Sequence, residues 1–334
     1  MKKSNSIYFW RIFFTYMIAM FHFDNGYRIL CFDGAYIAAD FFFLVSGYLL
    51  YKKSISVNAP KNAVEYTLGR YKRLYKQYLF GFVLVFLAVY ISGKRGLSLL
   101  GLLWDSKGEL LLLQGLEMGR GWNLINPTLW FLSVMIISGF VLYVCLCHFE
   151  KLFLKFLAPL CLVYFFYMFY VNVGSLDAAV NLEGVKFNYP LLRGFGEMTL
   201  GVYGVILNEK ISKSSLSKYA SWMSAGFFVA AVVVAYVWGK SQIDFVAFVL
   251  LFGGVAFGFC EKDSNVLSGD RVKRLSAMTI NIYIIHELFR TYIIPAILPK
   301  SDEPWRNWFA FLVYILMVTA AGVLMEVILK KVKA

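Results

Sequence analysis

Apolar runs of lipid-spanning length recur along the whole chain, and few folds can accommodate them. They are Ile7–Phe23, Ala35–Tyr51, Tyr75–Ser92, Thr128–Cys147, Leu152–Val171, Leu191–Leu207, Tyr219–Trp238, Phe245–Cys260, Met278–Leu298 and Trp308–Leu329. A hydrocarbon core of about 30 Å takes a helix of roughly 20 residues. Backbone amides in lipid find no water, so a spanning segment satisfies them as a helix or within a closed barrel. Runs of this length without strict apolar–polar alternation predict helices. The expected fold is therefore all-α, a polytopic membrane helix bundle of about ten transmembrane helices. Phe245–Cys260 is short and glycine-rich, which suits a span packed centrally.

Composition agrees: 60% of the 334 residues are apolar, more than a soluble domain of this size carries. A net charge of +13 would suggest nucleic acid as the partner of a soluble chain. Here the basic residues alternate with lipid-length runs, which excludes nucleic acid and points to loops facing anionic membrane lipids. With the N-terminus inside, Lys2 and Lys3, the basic stretch from Lys52 to Lys76, Lys262 to Arg274, and Lys330, Lys331 and Lys333 all fall on one side. The expected topology has both termini cytoplasmic, in a multi-pass protein of the cytoplasmic membrane. Lys2-Lys3 before an apolar run looks like a signal peptide, but Arg11 and His22 interrupt the run and no small-x-small site follows. It reads as a retained first helix. Residues 1–334 read as one integral-membrane domain with no appended soluble domain. Cys31, Cys145, Cys147, Cys161 and Cys260 form no Cys-x-x-Cys pair and no Cys/His cluster with zinc spacing, so no metal is expected.

Ionisable residues inside such runs face the bundle interior and mark function by default. Arg11 and His22 are eleven positions apart, so they share one helix face with an axial separation of about 16 Å. Asp40 lies in the second run, at a depth expected to match His22, and Asp24, Asn25, Gly26, Asp33 and Gly34 read as the polar outer connection between the two. Ser46 and Gly47 read as small residues for close helix packing. Arg70 and Arg73, one turn apart if helical, sit in the inner loop Lys52–Gln77. They serve topology, or a seat for cytoplasmic phosphates. The outer segment Gly93–Pro127 holds apolar pieces too short to span, suited to interfacial or re-entrant structure. Arg193 and Glu197, an i,i+4 pair, pair with each other or line a cavity. His286 and Arg290 have the same spacing, and His286 either bonds a neighbouring helix or, placed below Arg290, lines a cavity. His148, beside Glu150 and Lys151, reads as interfacial, and Glu326 has Lys330 one turn on.

Arg11, ten residues, then His22, followed by Asp40-Phe41-Phe42-Phe43-Leu44-Val45-Ser46-Gly47-Tyr48, resembles the acyltransferase-3 family of integral-membrane O-acyltransferases. Further along, Arg70-x-x-Arg73, Leu129-Trp130-Phe131-Leu132-Ser133, Arg193 through Gly201 and Ile282-Tyr283-Ile284-Ile285-His286 resemble later motifs of that family. Lys76 and Gly196 depart from it, where many members carry a proline and an aromatic residue. The resemblance implies transfer of an acyl group, most often acetyl, from cytoplasmic acyl-CoA to a hydroxyl of a surface polysaccharide or its lipid-linked precursor. It gives His22 the catalytic part. A sugar hydroxyl needs a base, and His suits that at neutral pH. Asp40 would hold the His22 tautomer, as the acid does in a hydrolase triad. Arg11, Arg70 and Arg73 would bind the donor, and Arg193, Glu197, His286 and Arg290 would line the substrate cavity. Direct transfer and an acyl-His intermediate are both compatible with these residues. By residue chemistry alone, the same ionisable groups would also suit a proton- or ion-coupled transporter.

Overall fold

The computed structural model describes residues 6–117, 124–177, 188–260 and 270–331, and every regular element among them is helical. Lys2, Lys3, Lys262 and Lys333 of the expected inner charge, and positions 118–123 of the outer segment, lie outside the described residues. The helices are α1 (Ser6–Tyr27), α2 (Ala38–Ser54), α3 (Ala63–Ser92), α4 (Leu99–Asp105), α5 (Lys107–Leu110), α6 (Gln114–Glu117) and α7 (Trp130–Leu152). They continue as α8 (Ala158–Asn172), α9 (Tyr189–Lys213), α10 (Ala220–Trp238), α11 (Asp244–Gly258), α12 (Asp270–Leu288), α13 (Ile294–Ile297) and α14 (Pro304–Lys331). Each of the ten expected runs falls on a helix. Five helical stretches are long and apolar enough to cross a membrane: Asp33–Ser54, Ala63–Ser92, Pro127–Asn172, Ser215–Trp238 and Pro304–Lys331.

Several boundaries differ from the sequence reading, each for a local reason. The connection expected from Asp24 stays helical through Tyr27, because the Asp24 carboxylate accepts from the backbone N–H groups of Ile29 (2.6 Å), Leu30 (2.8 Å) and Phe32 (3.0 Å). That acid terminates the helix from within its last turn and ties the following loop down. Most of the expected inner loop is the first part of α3. Asn62 accepts from Glu65 N–H at 2.9 Å while the Glu65 carboxylate accepts from Lys61 N–H at 2.8 Å, a capping-box arrangement that starts the helix at Ala63. The long stretch Pro127–Asn172 breaks at Phe149 (φ −137°, ψ 29°) and passes through a π-helical turn, Phe153–Leu157. A second π turn, Phe289–Ile293, follows α12. In both cases a proline (Pro159, Pro295) sits two residues beyond the π turn. Proline offers no N–H to the preceding turn, and a π turn absorbs the mismatch.

The helices that carry the ionisable residues are locked by close backbone approach. A Cβ on Gly47 would lie 2.7 Å from the Met198 carbonyl carbon, and one on Gly201 would lie 3.0 Å from Tyr48 N. Glycines thus let α2 and α9 cross almost backbone to backbone. The described parts of the segment 93–127 are fixed rather than loose. Glu109 is buried and its carboxylate accepts from Asn126 N–H at 2.8 Å and from Ile125 N–H. Gln114 donates to the Leu129 carbonyl at 3.2 Å, and Gly115 N–H donates to Ser133 Oγ at 3.0 Å. These bonds hold α5 and α6 against the start of α7. Gly47 therefore has the packing role expected for it.

Candidate active site

Where α1, α2, α7, α9 and α12 meet, a cavity of about 50 Å³ is lined by His22, Tyr36, Ala39, Thr128, Trp130, Phe131, Asp177, Arg193 and Tyr283, with Ile18 and Phe21. It has space for a few water-sized groups and not for a sugar ring, so substrates enter with movement of its walls. A larger depression, about 600 Å³, runs along one exposed face of α3 past Glu65 and Lys72. Its lining residues all lie between Asn62 and Lys72, so no other helix brings groups to it.

His22 is half-buried and stacks on His286 with ring centroids 5.2 Å apart. Among the described residues its ring makes no hydrogen bond, which leaves both nitrogens free for a reactant. His286 is fully buried. Its Nδ1 lies 2.5 Å from the Tyr283 carbonyl, which can only accept. The proton therefore sits on Nδ1, and Nε2 keeps its lone pair with no hydrogen-bond partner among the described residues. Arg290 donates to the His22 carbonyl at 3.3 Å and forks onto Glu287 at 2.8 and 3.0 Å. Glu287 is buried and also accepts from Thr291 at 2.6 Å. Arg290 thus serves as a brace between α12 and the C-terminal end of α1, and its charge is compensated by Glu287.

Asp40 does not hold His22. Its carboxylate accepts from Arg193 Nε at 3.1 Å and from Arg193 Nη2, while Arg193 Nε also donates to Glu197 at 2.9 Å. All three are buried. The fork of a guanidinium matches a carboxylate better than an imidazole edge does, and Arg193 reaches α2 from the close α2–α9 crossing. One guanidinium stands against two buried carboxylates, whose second oxygens, Asp40 Oδ2 and Glu197 Oε2, have no hydrogen-bond partner among the described residues. Tyr36 and Trp130 flank Arg193, with the guanidinium carbon 5.6 and 5.8 Å from their ring centroids. The Tyr36 hydroxyl donates to Asp244, which is also bonded by Leu176 N–H at 3.2 Å.

At the other end of the α1 face, Arg11 is half-buried and close enough to Arg70 of α3 for their charges to oppose. Arg70 donates to the Tyr66 hydroxyl (3.0 Å), Ser46 Oγ (3.3 Å) and Met135 Sδ (2.9 Å), all uncharged. Among the described residues neither guanidinium has a carboxylate partner. Arg73 is exposed and does not join them, although it lies one turn further along the same helix. Ser46 therefore does more than pack. His148 is exposed, and Glu326 pairs with Lys330 at 3.2 Å and accepts from Asn281 at 3.0 Å. Among the described residues no three His, Cys, Asp or Glu side chains converge as metal ligands.

A sequence model of the acyltransferase-3 family, described as an acyltransferase domain, matches residues 5–327, nearly the whole chain. The chain belongs to the acyltransferase-3 family. No curated protein and no solved structure matches it. For an acyltransferase-3 protein the groups to look for are a base, a site for the donor and a site for developing negative charge. His22, Arg11, Arg70 and Arg193 are ionisable groups without a full set of partners among the described residues. Sequence reasoning missed Glu287, Tyr36 and Asp177. Glu287 had a legible signal, an acid three residues before Arg290. Tyr36 and Asp177 had none, because both come from connections whose partners lie on distant helices.

Proposed function

We propose that this membrane acyltransferase transfers an acetyl group from acetyl-CoA, supplied from the cytoplasm, to a hydroxyl of a surface polysaccharide or of its lipid-linked precursor. The observation that carries the reading is His22, a free imidazole on a cavity wall in a chain of an acyltransferase family. His22 takes the proton of the acceptor hydroxyl as its oxygen attacks the thioester carbonyl, and returns it to the departing sulfur. Arg11 and Arg70 form the donor's phosphate seat: two guanidiniums without a carboxylate partner suit an anion, and Arg73 extends the seat at its exposed edge. Arg290 and His286 hold His22 in place, and Glu197 with Asp40 sets Arg193. Ten helices cross the cytoplasmic membrane, with both termini inside, so that the Arg pair faces the CoA supply and His22 the acceptor side.

The test is mass spectrometry of surface glycan from a deletion strain and its complements. Wild-type complementation restores an ester mass of one acetyl. Positioned general-base catalysis contributes roughly 10²–10⁴-fold, so His22→Ala at wild-type protein level leaves the ester undetectable, while His286→Ala reduces it partially. Ester retained in His22→Ala and lost in His286→Ala reverses the assignment of the base. No ester difference between the deletion and the wild type refutes the acceptor class.

A further inference from the structure

Attack on a thioester puts negative charge on the carbonyl oxygen, and a base alone does not stabilise it. Preformed donors aimed at that oxygen are the largest single term in many acyl transfers. The cavity wall offers few candidates. The hydroxyl of Tyr36 is committed to Asp244, that of Thr128 to Asn126 and that of Tyr283 to the Thr128 carbonyl. Asp177 is an acceptor and pairs with Lys240 at 3.1 Å. Arg193 is different. Its Nε and Nη2 are consumed by Asp40, Glu197 and the Tyr36 carbonyl (3.5 Å). Its Nη1 makes no hydrogen bond among the described residues and is not sealed from the cavity that Arg193 lines. Two carboxylates clamp the Nε and Nη2 side of the guanidinium, and Arg193 lines the same small space as His22.

We propose that Arg193 is a catalytic residue whose Nη1 donates to the oxyanion formed beside His22, with Asp40 and Glu197 as the positioning residues that aim it. The proposal rests on the acyl-transfer reading above. The acceptor O–H proton passes to His22 as the acceptor oxygen bonds to the thioester carbon. The carbonyl π pair moves onto oxygen, where Arg193 holds it. Collapse reforms the C=O bond and breaks C–S. The sulfur leaves with that bonding pair and takes the proton from His22, so ester and free thiol form with no net gain or loss of protons. Asp40 and Glu197 engage Arg193 through Nε and Nη2, so Nη1 stays available for charge that develops only during the reaction.

The experiment uses the purified full-length protein in lipid nanodiscs, with radiolabelled acetyl-CoA and the envelope glycan fraction of the native cells as acceptor. Arg193→Lys keeps the positive charge between the two carboxylates, but a single ammonium has no fork left for the cavity. Its kcat is expected to fall about 10²–10³-fold, with the KM for acetyl-CoA within about threefold and melting near wild type. A companion, Arg193→Met with Asp40→Asn and Glu197→Gln, removes the charges together and should show the same kcat loss. A purely structural Arg193 would instead lower melting and raise KM along with any loss of kcat. Folded Arg193→Lys with kcat within tenfold of wild type overturns the proposal, as does failure of both variants to fold. A wild type that transfers no label refutes the acyl-transfer reading itself, an outcome separate from any difference among variants.

Discussion

Replacing Gly47 by alanine tests the link between helix packing and the site most directly. The added Cβ would stand 2.7 Å from the Met198 carbonyl carbon and closer still to its oxygen, where ordinary contact begins at 3.4 Å. Both sides are backbone, so no side chain can turn away, and α2 and α9 must part by about 0.7 Å or more at the crossing. Overpacking of this kind costs about 1–3 kcal/mol. The displacement reaches the site: Asp40 lies about two turns along α2 from Gly47, and Arg193 a turn and a half along α9 from Met198. The hydrogen bond between them, Arg193 Nε to Asp40 at 3.1 Å, tolerates little stretch. A misplacement of about 1 Å far from the chemistry can cost about 10²-fold in rate. Gly47→Ala should therefore lower the melting temperature and reduce acetyl transfer by about 10²-fold in the nanodisc assay. Gly226→Ala on α10, where a Cβ meets nothing within 4 Å, is the control and should leave both unchanged. Wild-type melting and transfer in Gly47→Ala would refute the claim that the α2–α9 crossing sets the site.

Two further outcomes follow from the same geometry. Arg11→Ala or Arg70→Ala should raise the KM for acetyl-CoA at least about tenfold, the worth of one charged hydrogen bond, while Arg73→Ala has a smaller effect; equal effects at all three positions would return Arg70 and Arg73 to a common surface role. Reporter or cysteine-accessibility probes at Lys331 and Lys94 should register on opposite sides of the membrane, and the same side for both would break the ten-span topology.

The amino-acid sequence by itself determined the helical class, a helix at each of the ten apolar runs, and the family. Lipid-length apolar runs permit little else, and a spaced Arg–His pair followed by an aspartate and three phenylalanines is local information. It also offered the i,i+4 pairing of Arg193 with Glu197 as one of two alternatives, and the pair forms because a helix brings such residues together without help from the rest of the chain. What it left undecided was every partnership across helices. Asp40 was assigned to His22 on depth alone, and the tertiary structure gives it to Arg193, because the glycines of α2 and α9 bring those helices close enough for a buried fork to close. Arg70 and Arg73 look equivalent in sequence, yet only Arg70 points inward to Ser46, Met135 and Tyr66. The stacking of His22 on His286 joins residues far apart in the chain. Periodicity says which face a residue shares, and only the packing of helices says what stands opposite it.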